Sequence, residues 1–289
     1  MIKEVLQLIR IKHYIKNVFV FMPLFFFGGI QEAELLIKAS LAFVSFCLIA
    51  SAVYILNDIN DVEDDRSHIK KKSRPIASQR ISIPLAYGLC VVLVASSIGV
   101  ASTISSAVVT LVLAYFCLNI AYTLILKTLP ILDITTIAIG FVIRVFVGAS
   151  AVNVELSHWI VVMTFLLALF LAASKRRDDV LIYDQTGKKM RQVIDGYNVK
   201  FLDATISMLG SIVIVAYLMY STSHEVISKL DSNYVYLTSI FVVIGVLKYM
   251  HSTLVNEDSG SPTLIVLKDR SLQAVILAWL ASFAWIIYS

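Results

Sequence analysis

Nine apolar windows set the terms for this chain. A run of about 20 apolar residues crosses the roughly 30 Å hydrocarbon layer as a helix, and in lipid that helix must satisfy its own backbone hydrogen bonds. The windows fall near residues 14–30, 35–56, 83–102, 106–126, 131–151, 157–174, 202–221, 234–250 and 271–288. A 289-residue chain that is 58% hydrophobic and 15% charged, with a mean hydropathy of +0.84, is too apolar for a water-soluble domain. The expected fold is all-α: a polytopic membrane protein whose nine transmembrane helices form one bundle, a single domain over residues 1–289. Ser82 with Pro84 marks one helix start, and Pro130 separates the fourth and fifth windows.

The formal net charge is only +4, and nothing in it suggests nucleic acid. Its distribution says more. With the N-terminus in the cytoplasm, all 24 Lys and Arg residues except Lys38, Lys229 and Arg144 fall on the inner side, the bias that orients proteins in the cytoplasmic (inner) membrane. Nine crossings then leave the C-terminus outside. Residues 1–16, with Lys3, Arg10, Lys12 and Lys16 among apolar neighbours, read as an amphipathic helix on the inner surface; no small-residue cleavage site marks a signal peptide. Lys16 and Asn17 begin the first window, where polar groups face protein or a cavity, although a snorkelling lysine fits Lys16 equally. Arg144 lies deep in the fifth window, where a lone charge costs at least about 3 kcal/mol, so it must turn inward and find partners. Cys47, Cys90 and Cys117 all sit in apolar runs and form no metal or disulfide pattern.

The densest charge follows the second window, in the stretch from Asn57 to Ser78. On a continuing helix Asp58, Asp61 and Asp65 fall within an arc of roughly 60°, whereas Glu63 and Asp64 point elsewhere. Three like charges on one face become favourable around a cation, most simply Mg²⁺, which takes carboxylate oxygens together with substrate phosphates. The basic residues that follow can hold the rest of an anion's charge. A solvated positive-inside loop is the plain alternative.

Asn57-Asp58-x-x-Asp61-x-x-x-Asp65 resembles the first aspartate-rich motif, NDxxDxxxD, of the UbiA superfamily of intramembrane prenyltransferases. Within it, residues Lys16 to Leu24 and Arg74-Pro75-Ile76-Ala77-Ser78 most resemble the branch of polyprenyl-phosphate phosphoribosyltransferases, as does Pro262-Thr263 with Lys268-Asp269-Arg270. The resemblance implies that Asp58, Asp61 and Asp65 bind Mg²⁺ and, through it, the donor's pyrophosphate, in an active-site cavity at the cytoplasmic end. Asn57, Arg66, Lys70, Arg74, Lys16 and Asn17 would assist, and Tyr122 and Lys127 would help hold the diphosphate. For Tyr122 an interfacial aromatic, and for Lys127 a positive-inside anchor, are the alternatives.

In the second charged loop, residues 175–200, the chain departs from the aromatic-acceptor enzymes, which carry a DxxxD motif there. Lys175-Arg176-Arg177-Asp178-Asp179 stands in its place, followed by Arg191 and Tyr197. Cations suit additional phosphates, so Lys175, Arg176, Arg191 and Tyr197 are expected to bind substrate, while Arg177, about 200° around the helix from Lys175, faces elsewhere. The resemblance thus implies Mg²⁺-dependent transfer of 5-phosphoribose from phosphoribosyl pyrophosphate to a polyprenyl phosphate in the membrane. Transfer of a prenyl group to an aromatic or other small acceptor stays open, as does a transporter without chemistry. The sequence leaves a homo-oligomer open.

Overall fold

The computed structural model describes residues 2–67, 71–187, 189, 191–256, 265–266 and 268–288. Among the described residues every regular element is a helix. In order these are α1 (Ile2–Leu8), a 3-10 helix (Ile11–Phe21), α2 (Met22–Phe27), α3 (Ala33–Asn60), α4 (Val62–Ser67), α5 (Ile83–Ser102), α6 (Ser106–Leu124), α7 (Leu132–Val152), α8 (His158–Thr186), α9 (Val199–Ser221), α10 (His224–Leu230), α11 (Ser239–Leu254) and α12 (Arg270–Tyr288). Eight helices among the described residues are long and apolar enough to cross a membrane: α3, α5 to α9, α11 with the 3-10 turn before it, and α12. The protein is an integral membrane protein.

The first window is built otherwise than a single long helix. The 3-10 helix begins at Arg10, whose backbone is left-handed at φ 54, and gives way to α2, which carries Pro23 in its first turn and closes at Gly28 with φ 86. Hydropathy reports composition and is blind to which hydrogen-bond pattern the backbone adopts. Further along, α8 continues well past the end of its apolar window to Thr186. The charges at 175–179 belong to the helix because Lys175 pairs with Asp178 and Asp179, and Arg176 with Asp179, at the three- and four-residue spacings that stabilise helices.

The chain divides into two compact units: the residues up to Ile125 with Ile143–Leu156, and Leu126–Val142 with the residues from Ser157 on. In the first unit α3 is central, packing on α5, α6 and the 3-10 helix. Its apolar window is 61% buried, against 22% for α5 and α6. Small residues allow this closeness. Ala42, Ala50, Val53 and Phe46 meet Val108, Val112 and Tyr115, and Ser45 and Ser97 donate to each other's carbonyls at 2.9 and 2.7 Å. Lipid tails are as apolar as leucine, so such close packing and interhelical hydrogen bonds hold membrane helices together. The second unit packs α8 and α11 on α9, with Phe170, Ala173, Ile206, Leu209 and Val246 in its core.

Candidate active site

In the first unit α3 ends at Asn60, Asp61 caps it, and α4 starts one residue later. The Asp61 amide donates to the Asn57 carbonyl at 2.9 Å and the Asp65 amide to the Asp61 carbonyl at 2.8 Å. The helical hydrogen-bond ladder therefore continues across the break. Asp58 and Asp65 are buried, 2% and 1% exposed, while Asp61 is half-buried. Two buried carboxylates about two turns apart on one face require cations. Arg74 supplies one: its Nη1 donates to Asp58 Oδ1 at 3.0 Å and to Asp65 Oδ2 at 2.6 Å. Arg10 supplies another, donating from Nη2 to Asp58 Oδ1 at 2.5 Å. Lys71 Nζ stands 3.9 Å from Asp65 Oδ1.

The donor set has the hard oxygen chemistry that Mg²⁺ prefers. Asp65 Oδ1 is buried without a hydrogen-bond partner, which leaves one coordinating atom in hand. Among the described residues no three carboxylate, His or Cys groups converge as they stand into a metal-holding set, and Arg10 and Arg74 occupy Asp58 and Asp65. The residues thus fit the ion by type, and its binding requires these guanidinium groups to give way.

The neighbouring predicted residues take distinct places. Asn57 Oδ1 accepts a short hydrogen bond from Thr123 Oγ1 of α6. Both residues line a groove of about 300 Å³, whose walls include Val53, Leu56, Ile120 and Leu124. Arg66 donates to the Ala77 carbonyl at 3.4 Å, clipping the loop. Lys70 lies outside the described residues, as do Pro262 and Thr263. Lys16 is half-buried. Asn17 is fully buried, donating to Cys47 Sγ at 3.2 Å and accepting from Arg144 Nε at 2.9 Å. Arg144 also donates to Tyr115 Oη at 3.2 Å and lies over the Phe46 and Tyr115 rings at 4.8 and 5.1 Å. The deep arginine thus ties helices of the first unit together. Tyr122 sits half-buried on α6; Lys127 sits on a 3-10 turn, Leu126–Thr128, that belongs to the second unit.

In the second unit the basic run is charge-balanced rather than purely basic. Asp179 accepts from Arg176 Nη1 at 3.2 Å and Arg191 Nε at 2.9 Å, and pairs with Lys175 Nζ at 3.1 Å. Lys175 also donates to Asp178 at 2.8 Å. Arg176, fully buried, donates from Nε to Asp133 in a short bond. Tyr197 Oη donates to Asp133 Oδ1 at 2.6 Å and accepts from the Ile131 amide at 2.6 Å. Burial, and then the bond to Asp133, push the Tyr197 phenol above its usual range, so it stays a donor. Arg177 does face elsewhere: it donates to Asp203 Oδ1 at 2.5 Å and the Thr253 carbonyl at 2.8 Å, joining α8 to α9 and α11. Asp269 caps α12, accepting from the Leu272 amide at 2.9 Å.

Sequence reasoning passed over Arg10 as a site residue, since its place in an amphipathic N-terminal run matches an ordinary surface anchor. It also passed over Thr123 and Asp179. Only the hydrogen-bonding requirement of half-buried Asn57, and the excess of cations around 175–191, signalled that these partners were needed.

In a chain of membrane-spanning helices, buried carboxylates at a helix end held by arginines are residue types that an intramembrane enzyme of phosphorylated substrates would use. The chain belongs to the UbiA prenyltransferase family, whose model matches residues 18–268, and is a transferase of that superfamily. It is 31% identical over 287 residues to a decaprenyl-phosphate phosphoribosyltransferase of Corynebacterium glutamicum, covering 98% of this chain and 86% of that one. It is 32% identical to a decaprenyl-phosphate phosphoribosyltransferase of Mycolicibacterium smegmatis, covering 100% of this chain and 93% of that one. The fold is similar to a UbiA homolog of Archaeoglobus fulgidus bound to DMAPP and Mg²⁺, with a TM-score of 0.72 at 19% identity over 98% of this chain and 99% of that one.

Proposed function

We propose that this protein transfers 5-phosphoribose from phosphoribosyl pyrophosphate to a polyprenyl phosphate, releasing pyrophosphate, in a Mg²⁺-dependent reaction at the cytoplasmic face of the inner membrane. End-to-end similarity to proteins named decaprenyl-phosphate phosphoribosyltransferase carries this reading. Asp58, Asp61 and Asp65 would hold the ion, which when bound supplies charge neutralisation for the departing pyrophosphate. Arg74 and Lys71 reach the same carboxylates and offer the pyrophosphate its fork and point charge.

An oxygen of the lipid phosphate attacks the anomeric carbon as the bond from that carbon to the pyrophosphate oxygen breaks. A phosphate monoester, with a second pKa of about 6, is largely dianionic at pH 7 and needs no strong general base. The protein's work is positioning and charge neutralisation. Lys175 and Arg191, whose side chains are 28% and 40% exposed, serve as phosphate contacts, with buried Arg176 and Tyr197 holding the scaffold behind them. The groove beside Asn57 seats the first isoprene units of the acceptor: its walls are apolar, and Asn57 adjoins Asp58.

The segment 11–27 supplies the ninth crossing. A 3-10 helix rises about 2.0 Å per residue and an α-helix about 1.5 Å, so 11 residues of one and six of the other reach about 31 Å, the thickness of the hydrocarbon layer.

The test is incubation of purified protein with radiolabelled phosphoribosyl pyrophosphate and a polyprenyl phosphate. Label should move to the organic phase. Label that stays aqueous, while a labelled prenyl diphosphate prenylates an aromatic acceptor, would establish the rival prenyltransferase reading.

A further inference from the structure

Arg10 is left over from the reaction just described, yet its position is heavily determined. It caps the start of the 3-10 helix from the left-handed region at φ 54 and ψ 50, a conformation that a non-glycine residue adopts only where its surroundings hold it there. Its guanidinium lies over the Tyr54 ring at 4.9 Å and donates to Asp58 Oδ1. Arg74, from the loop after α4, meets the same oxygen and bridges to Asp65. The carboxylates are sealed, but the arginine side chains are 20% and 26% exposed, so the cationic half of the cluster keeps a way out toward solvent.

We propose that Arg10 and Arg74 are resident counter-ions of the acidic site and are exchanged for the divalent ion, so that Arg10 is a positioning residue that sets the site's metal affinity. The inference rests on the reading that Asp58, Asp61 and Asp65 hold the metal. The charge arithmetic supports it: two guanidinium groups carry the charge of one divalent ion, so the buried carboxylates are compensated before and after exchange, and never bare. A carboxylate oxygen that accepts from two arginines has little capacity left for a metal. Once released, each planar fork suits a phosphate arriving with the ion.

The experiment measures binding of Mn²⁺, followed by electron paramagnetic resonance of the free ion, to the full-length protein in detergent without lipid substrate. Arg10→Gln and Arg74→Gln should each bind Mn²⁺ at least about tenfold more tightly than wild type, since each removes a charged hydrogen-bond donor that competes for Asp58. Arg10→Lys, which restores the charge, should return toward the wild-type value, and Asp58→Asn should lose the tight site. The same Gln variants should bind phosphoribosyl pyrophosphate with Mg²⁺ more weakly. A purely structural role would move both affinities in one direction. If Arg10→Gln does not fold, Arg74→Gln decides alone. Wild-type binding with no tightening in the folded Gln variants overturns the exchange and leaves the metal reading standing. Absence of any Mn²⁺ site sensitive to Asp61→Asn, in wild type and variants alike, overturns both.

Discussion

Asp61 is the carboxylate whose loss reads most directly as chemistry. Asp58 and Asp65 each hold guanidinium groups, so an amide at either leaves an arginine short of its charged partner and mixes a stability loss of about 1.5–3 kcal/mol into the result. Asp61 is half-buried at the break between α3 and α4, where its Oδ1 accepts from the Asn60 side-chain amide at 3.0 Å, a bond an asparagine oxygen can also accept. Asp61→Asn should therefore nearly abolish transfer while the melting temperature in detergent stays close to wild type, and chelation should abolish transfer reversibly. A wild-type rate in either case removes the metal from these aspartates. Tyr197 tests the opposite situation. Its hydroxyl supports Asp133 and the amide of Ile131, a β-branched residue at φ 70, which is an unfavourable conformation held by its surroundings. Tyr197→Phe deserts both groups, at about 1–3 kcal/mol, and should lower the melting temperature by several degrees with a less than tenfold change in rate. An unchanged melting curve with lost transfer would make the hydroxyl a substrate contact instead.

The helices show which level of structure hydropathy can see. The window at 83–102 and helix α5 coincide, because Ser82 and Pro84 punctuate a run with nothing else to read. The window at 14–30 and the observed 3-10 helix with α2 do not coincide as one helix, because the deciding contact is remote in sequence. A β-carbon at Gly148 of α7 would stand 1.9 Å from the Val20 carbonyl oxygen, and no window around residue 20 contains that information. Gly148→Ala should thus be costly. The obstacle is backbone, which no rotamer change relieves, so a loss of about 1–3 kcal/mol or more is expected, read as a lowered melting temperature. An alanine variant as stable as wild type would show that the 3-10 helix moves freely against α7. The acidic site divides the same way. The spacing puts Asp58 and Asp65 on one face, and Arg74 does join them, whereas Arg10, 48 positions from Asp58, meets its partner only through the fold, as does Asp133 of the second unit, 43 positions from Arg176.

At the scale of the whole molecule the unsettled quantity is parity. Eight long helices alone return the chain to the side from which it started, and a crossing by residues 11–27 places the two ends on opposite sides. On the positive-inside expectation the charged loops 57–82 and 175–200 are cytoplasmic, with Lys38 and Lys229 outside; the length of the broken segment is compatible with that. In a background with Cys117, the exposed cysteine, changed to Ser, single cysteines at exposed Ser73 and Gln185 should react with a membrane-impermeant thiol reagent only from the cytoplasmic side, and one at exposed Glu155 only from the other. A Lys3→Cys variant, exposed and ahead of the broken segment, should likewise react only from the cytoplasmic side. Opposite labelling of Ser73 and Gln185 would defeat the reading in which both charged segments meet phosphates delivered from the cytoplasm. Labelling of residue 3 from the outer side, with the other labelling as expected, would instead leave eight crossings and make 11–27 a segment that enters and leaves by one face. The labelling at residue 3 therefore decides whether a mixed 3-10 and α segment, with Pro23 and Gly28 in its path, spans the bilayer.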